Sequence, residues 1–125
     1  MQKYSSPVLD HFYNPRNPGE VENYSGEGFS GGPTERNYMR ITIRVEGGGI
    51  VEIKFQCYTC LVAVAACSKL TEMAKGKTLA EAEAITPEML AVELGEMPSE
   101  RMNRCELAVE ALRNAIANYR QTHLH

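Results

Sequence analysis

The sequence predicts an α+β fold, in which a small antiparallel sheet of about three strands is covered by helices. Residues 38–57 alternate between apolar and polar side chains around a run of glycines, whereas residues 60–125 mostly follow helical spacing. Alternation with a period of two is typical of strands, and apolar residues three or four positions apart are typical of helices. A chain of 125 residues with 43% hydrophobic content suits one core. Residues 1–125 are therefore predicted to form a single domain.

The N-terminal part is predicted to be a helix followed by a long polar loop. Ser5 or Ser6 can cap this helix, and Pro7 suits its first turn because its missing N–H costs nothing there. The segment NPRNPG then ends the helix. Residues 14–37 are rich in Gly, Asn and Pro and are interpreted as a loop with a short edge strand around Phe29.

The centre of the chain is predicted to be a β-hairpin with one buried face. In YMRITIRV, residues 38–45, alternate apolar side chains share a face: Met39, Ile41, Ile43 and Val45. A Glu-Gly-Gly-Gly segment at 46–49 separates this strand from IVEIKFQC, residues 50–57. Glycine allows the backbone angles that a tight hairpin turn requires.

The second half of the chain is predicted to be helical. A helix from about Cys60 to Lys75 would end at Gly76, a residue type typical of helix C-termini. Three N-terminal caps are predicted: Thr78 with Glu81, Thr86 before Pro87, and Asn103 with Glu106. The last helix is expected to cross the sheet with one apolar face: Ala108, Leu112, Ala115, Ile116 and Tyr119. Three methionines are interpreted as core fillers: Met39, Met73 and Met89.

Composition narrows the classes of function. The chain has 13 Lys and Arg against 16 Asp and Glu, a net charge of -3, with no long block of either sign. This balance argues against nucleic acid as the main partner. The sequence shows no apolar signal-peptide core and no membrane span, so it is interpreted as cytoplasmic. Because disulfides are rare in that compartment, the four cysteines are candidates for metal ligation, sulfur chemistry or packing.

Three of the four cysteines fall in FQCYTCLVAVAAC, where the strand pattern gives way to the helical one. Cys57 is expected at the end of a strand, Cys60 at the start of a helix, and Cys105 in the first turn of the last helix. Because helix N-termini favour anions, the thiol pKa values of Cys60 and Cys105 are expected to be lowered. Cys67 lies seven residues beyond Cys60 and is interpreted as a small buried hydrophobe.

Two segments carry a resemblance to a known family: YSSPVLDHFYNPRNPGEVEN, residues 4–23, and GGGIVEIKFQCYTCLVAVAACSKLTEMAKGKTLAEAEAI, residues 47–85. In order along the chain, they resemble the opening signature, hairpin, cysteine loop and following helix of the IscU/NifU-type iron-sulfur cluster assembly scaffolds. This resemblance covers essentially the whole chain and implies the NifU N-terminal (SufE/NifU-like) fold. It further implies a scaffold or carrier rather than an enzyme, on which iron and sulfide are assembled and passed to recipient proteins.

The resemblance carries over only part of the family site, which has three cysteines, an aspartate and commonly a histidine. Cys60 matches the second family cysteine and Cys105 the third. Aligning the preceding segment on Tyr38 places Glu35 at the first cysteine and Asn37 at the aspartate. A thiolate and a carboxylate of the family pattern are therefore absent there.

The ligand set that remains is predicted to be Cys57, Cys60, Cys105 and Glu35. Cys57 is included because C-x-x-C lets two sulfurs face one metal. Glu35 offers a hard oxygen that suits zinc or ferrous iron better than a cluster. The set would hold a [2Fe-2S] cluster or a single iron or zinc ion. Asn103 or Arg104 stands at the family histidine. Arg36 and Arg104 would neutralise the charge of the site, or their guanidinium groups would fill the place of the metal.

Partners and alternatives follow from the same residues. The resemblance implies a cysteine desulfurase as sulfur donor and apo iron-sulfur proteins as recipients, while a homo-oligomer stays open. The segment MPSERMNRC only loosely resembles a chaperone-binding stretch, so a specialised chaperone is not assumed. The alternatives are a persulfide relay through Cys60 or Cys105, a mononuclear metal-binding or interaction module, and dithiol redox chemistry by Cys57 and Cys60. The helical second half disfavours the redox alternative, because thioredoxin-like folds return to strands.

Overall fold

The computed structural model describes residues 4–32, 38–58, 60–95 and 97–123, and it has the predicted α+β architecture. Within these ranges one antiparallel sheet has the order β1-β2-β3, with strands Gly26–Ser30, Met39–Glu46 and Gly49–Cys57. The helices α1 to α5 span Ser6–Tyr13, Leu61–Ala74, Leu79–Glu83, Pro87–Glu93 and Met102–Thr122. A 3-10 turn, Ser99–Arg101, leads into α5.

The predicted hairpin is confirmed as β2 and β3. Gly47 and Gly48 form its turn with φ values of 60° and 78°, a region that favours glycine. The apolar face of β2 is buried at Met39, Ile41 and Ile43. Val45, the fourth expected member, is only half-buried, and the strand register shifts between Arg44 and Val45. The buried face of the hairpin thus forms one side of the hydrophobic core.

The edge strand predicted around Phe29 is β1, and α5 packs directly on its backbone. A Cβ atom on Gly28 would lie 2.2 Å from both the carbonyl oxygen of Ala111 and the backbone nitrogen of Ala115. A Cβ on Gly26 would lie 2.7 Å from the Ala115 oxygen. The predicted apolar face of α5 is buried at Ala108, Leu112, Ala115 and Ile116. This helix therefore crosses the sheet as expected, at a distance that only glycine permits.

The N-terminal helix is fixed to α2 by a buried polar network. The Ser5 side chain caps α1 by accepting from the Val8 N–H. His11 Nδ1 lies 2.7 Å from Ser68 Oγ, which also accepts from the backbone N–H of Arg16 at 2.8 Å. Burial lowers the pKa of His11, which favours the neutral imidazole. These bonds hold the loop after α1 beside α2, close to the cysteines.

The observed N-terminal caps of the helices agree with the predicted caps except at α5. Two predicted caps are confirmed: the capping box of Thr78 with Glu81, and Thr86 before Pro87. The predicted cap of Asn103 with Glu106 is wrong, because α5 already begins one residue before Asn103, after the 3-10 turn. Each helix in the described ranges is too short or too polar to cross a membrane.

The methionines divide between core and surface. Met39 is fully buried and Met73 is half-buried, as core fillers should be. The prediction for Met89 is wrong, since 47% of this residue is exposed. It lies one helical turn from Val92, which is 76% exposed, so both residues sit on the solvent side of α4.

Candidate functional site

The candidate site lies where β3 passes into α2. Cys57 is the last residue of β3, and Cys60 is the N-cap residue of α2, as the sequence predicted. Both residues are half-buried. Cys57 lines two surface cavities of about 250 and 410 Å³, the first shared with Tyr38, Gln56 and Tyr58. This end of the sheet therefore offers solvent access to sulfur.

The surroundings of Cys60 favour its thiolate. Partial burial opposes ionisation, but the backbone N–H groups of Ala63 and Val62 and the guanidinium of Arg104 outweigh it and lower the pKa of Cys60. Cys60 is the N-cap residue of α2, but its side chain makes no capping hydrogen bond. The N–H groups of the first turn therefore stabilise the thiolate as the positive end of the helix dipole. The predicted effect of a helix N-terminus on Cys60 is thereby supported.

Cys105 has the opposite character, and the prediction of a lowered pKa there is wrong. It is the fourth residue of α5, it points into the core, and it is fully buried. Burial is the main cause that raises the pKa of its thiol to about 11, with a further contribution from Glu106 and Glu88. Desolvation outweighs the helix dipole at this position. Cys105 is therefore a protonated, protected thiol in this structure.

Cys57 and Cys67 form a thiol pair that the sequence did not reveal. A side-chain hydrogen bond from Cys67 is the main cause that lowers the pKa of Cys57, and the same contact together with burial raises that of Cys67. Cys67 Sγ also lies 3.6 Å from Met39 Sδ. Cys67 is fully buried on α2, as predicted, but it is in contact with the candidate site. The hairpin register could have paired Met39 with Cys57, but it does not place Cys67, whose position depends on how α2 packs on the sheet.

In the part of the chain that the structure describes, the candidate site lacks a group of three ligands of the kinds that hold iron or zinc. Within the described residues, no three side chains of His, Cys, Asp or Glu are arranged so that they could hold a metal ion. Glu35, the candidate fourth ligand, and Asn37 lie outside the described residues. Cys57 and Cys60 are partly exposed, whereas Cys105 is buried in the core. The arrangement therefore offers one half-exposed thiolate, Cys60, and the buried thiols of Cys67 and Cys105.

Replacing Arg104 with glutamine should make Cys60 less reactive. Without the guanidinium the thiolate loses a stabilising charge, so its pKa rises and less thiolate is present at neutral pH. We expect alkylation of Cys60 by iodoacetamide at pH 7 to slow by about three- to tenfold. The pH at which the alkylation rate is half-maximal should also increase. Fragmentation mass spectrometry locates the modified cysteine.

Arg120→Gln is the matched control, because it removes the same charge from the same helix. Arg120 pairs with Glu83 and is not among the groups that act on Cys60. Its profile should coincide with that of the unmodified protein. An unchanged profile in Arg104→Gln would mean that the helix N-terminus alone sets the reactivity of Cys60.

Comparison with known proteins gives a consistent picture. Residues 3–125 match the family model described as NifU-like N terminal domain. The chain is 47% identical over 116 residues to the iron-sulfur cluster assembly scaffold protein IscU 1 of Archaeoglobus fulgidus, covering 93% of this chain and 76% of that protein. It is 40% identical over 121 residues to the iron-sulfur cluster assembly scaffold protein IscU of Escherichia coli K12, covering 94% of both.

A solved structure supports the fold. A crystal structure from Fervidobacterium islandicum AW-1, described as a putative iron-sulfur cluster assembly scaffold protein for the SUF system, superposes with a TM-score of 0.71. The alignment covers 90% of this chain and 96% of that one at 20% identity. At this level of identity the likeness concerns the fold, and it agrees with the observed arrangement of three strands and helices.

Proposed function

This chain belongs to the NifU-like N terminal domain family, and on that premise we propose that it is a scaffold for iron-sulfur cluster assembly rather than an enzyme. Iron and sulfide are its cargo, assembled at the junction of β3 and α2 and then passed to apo iron-sulfur proteins. The observation that carries the proposal is Cys60, a half-exposed thiol that α2 and Arg104 stabilise as a thiolate. Thiolates are the ligands that iron-sulfur clusters require.

The proposed ligands differ in how readily they bind iron. Cys60 and Cys57 are half-buried and have lowered pKa values, so they bind first. Cys105 must lose a proton that burial retains, and it joins after them. Glu35 is proposed as the fourth ligand. With three thiolates the cargo is a [2Fe-2S] cluster, and with fewer the same residues hold a single iron or zinc ion.

Sulfur is proposed to arrive at Cys60 from a cysteine desulfurase of the cytoplasm. The Cys60 thiolate attacks the terminal sulfur of a persulfide on the donor, so that one S–S bond forms while another breaks and the donor thiolate leaves. Conversion of this sulfane sulfur to sulfide takes an electron pair from an external reductant. Cys60 suits the role because it is both exposed enough to meet a partner and ionised enough to attack.

A second candidate function is a sulfur relay that does not complete a cluster. The observation in its favour is Arg104, whose guanidinium helps to lower the pKa of Cys60 and so supplies positive charge that a bound metal cation would otherwise supply. A guanidinium would stabilise an anionic persulfide on Cys60 equally well. The relay and the scaffold thus share the first step and differ in whether iron follows.

Anaerobic reconstitution with ferrous iron and sulfide tests the scaffold. We expect a red-brown protein with charge-transfer bands and matching contents of iron and acid-labile sulfide. The control is the same protein alkylated beforehand with iodoacetamide, which should stay colourless. A colourless unmodified protein would contradict cluster assembly. A mass increase of one sulfur on Cys60 after incubation with a persulfide donor would then identify the relay.

A further inference from the structure

Three sulfur-bearing residues are neighbours on the inner side of the site and form what we call the sulfur triad: Met39, Cys57 and Cys67. We propose that this sulfur triad binds a single Cu(I) ion. The triad shares Cys57 with the proposed cluster site, whereas Met39 and Cys67 are not among the proposed cluster ligands. The inference does not rest on cluster assembly, because its test measures the affinity for copper.

The geometry of two elements brings the triad together. Met39 opens β2 and Cys57 ends β3, and the two are direct partners in the antiparallel register. Such partners point to the same face of a sheet, with Cβ atoms about 5 Å apart. Cys67 lies on α2, with its sulfur 3.6 Å from Met39 Sδ. Its thiol is also near enough to Cys57 to affect the pKa of that residue. Cys67 thus contacts Met39 directly and is a neighbour of Cys57.

The donor set selects the metal. Thiolate and thioether together are soft ligands, which favour Cu(I) among the biological metals. Zinc takes cysteine, histidine or carboxylate in a tetrahedral set, and a thioether is not among these ligands. Cu(I) has a filled d shell and accepts low coordination numbers, so three sulfurs suffice. Two thiolates with one monovalent cation leave a single negative charge, to which the nearby Cys60 and Arg104 pair adds no further net charge.

The triad has a route to solvent through one of its members. Met39 and Cys67 are fully buried, but Cys57 is half-buried and lines both surface cavities at this end of the sheet. A copper ion captured by Cys57 therefore needs to move only from that sulfur to its neighbours. Binding releases the protons of both thiols, so affinity should increase with pH.

The test is an anaerobic titration of the purified chain with Cu(I), in competition with the chromophoric chelator bicinchoninate. We expect one tightly bound Cu(I) per chain and a thiolate-to-copper absorption band in the ultraviolet. Met39→Leu removes the thioether at nearly constant volume and should weaken binding about tenfold. Cys67→Ala should weaken it by about 100-fold or more. Met73→Leu is the matched control and should bind as the unmodified chain does, since Met73 is not in the triad.

Two outcomes would overturn the proposal. One is an affinity that Met39→Leu leaves unchanged, which would remove the thioether from the site. The other is copper binding lost in Cys60→Ala but retained in Cys67→Ala, which would assign the ion to the C-x-x-C pair at the surface. Circular dichroism of each variant establishes that it is folded. Should Cys67→Ala fail that check, Met39→Leu against Met73→Leu decides the result.

Discussion

Gly28→Ala is expected to destabilise the fold by at least about 3 kcal/mol, the upper range for overpacking a core. The added Cβ atom would lie 2.2 Å from the carbonyl oxygen of Ala111 and from the backbone nitrogen of Ala115. Both atoms belong to the backbone of α5, so no side-chain rotation can relieve the overlap. The helix would have to move away from β1, which would loosen the buried contacts of Leu112 and Ile116 beneath it.

Urea unfolding followed by circular dichroism measures this effect. For a small domain, a loss of about 3 kcal/mol corresponds to a midpoint lowered by about 2 M. Gly49→Ala is the control in the same sheet, because the added Cβ would come no closer than 3.4 Å to the Lys77 oxygen. We expect that midpoint to change by less than about 0.5 M. Equal midpoints for the two variants would show that α5 can move away from β1 with little loss of stability.

The sequence predicted the fold well where patterns are local. The hairpin followed from alternation over 38–57, and helix starts at Thr78 and Thr86 followed from capping residues. The role of Gly28 did not follow, because residues 14–37 are rich in Gly, Asn and Pro, a composition typical of loops. Only the close approach of α5, more than eighty residues later in the chain, gives this glycine its function. Tertiary contacts of this kind leave no periodic signal.

At the site, too, local features were predicted correctly and features that depend on tertiary packing were not. The positions of Cys57 and Cys60 followed from the switch of period, since that switch marks the end of a strand and the start of a helix. The pKa of Cys105 was predicted in the wrong direction, because a helix position indicates the dipole but not the burial. The contact of Cys67 with Cys57 was missed because it depends on how α2 packs on β3. Electrostatics that depend on packing cannot be derived from local sequence.

Cys60→Ala is expected to reduce the iron and sulfide retained after reconstitution by at least about tenfold. This thiol combines solvent access, the N–H groups of Ala63 and Val62, and the charge of Arg104, and no other cysteine has all three. Of the proposed ligands, its loss would leave Cys57, the buried and protonated thiol of Cys105, and Glu35. A cluster ordinarily takes four protein ligands, mostly cysteine thiolates, so the three that remain would hold it poorly.

Cys67→Ala is the matched control, because it makes the same substitution on the same helix at a fully buried position outside the proposed ligand set. It should retain most of the iron and sulfide, because Cys57 and Cys60 both remain, although the pKa of Cys57 should rise without the contact from Cys67. Visible spectra and metal analysis of both variants, prepared side by side, check this difference. Normal cluster content in Cys60→Ala would contradict the assigned role and would move the first ligand to Cys57. Loss of cluster in both variants would instead indicate that the thiol contact between α2 and β3 shapes the site, because Cys67 reaches it only through Cys57.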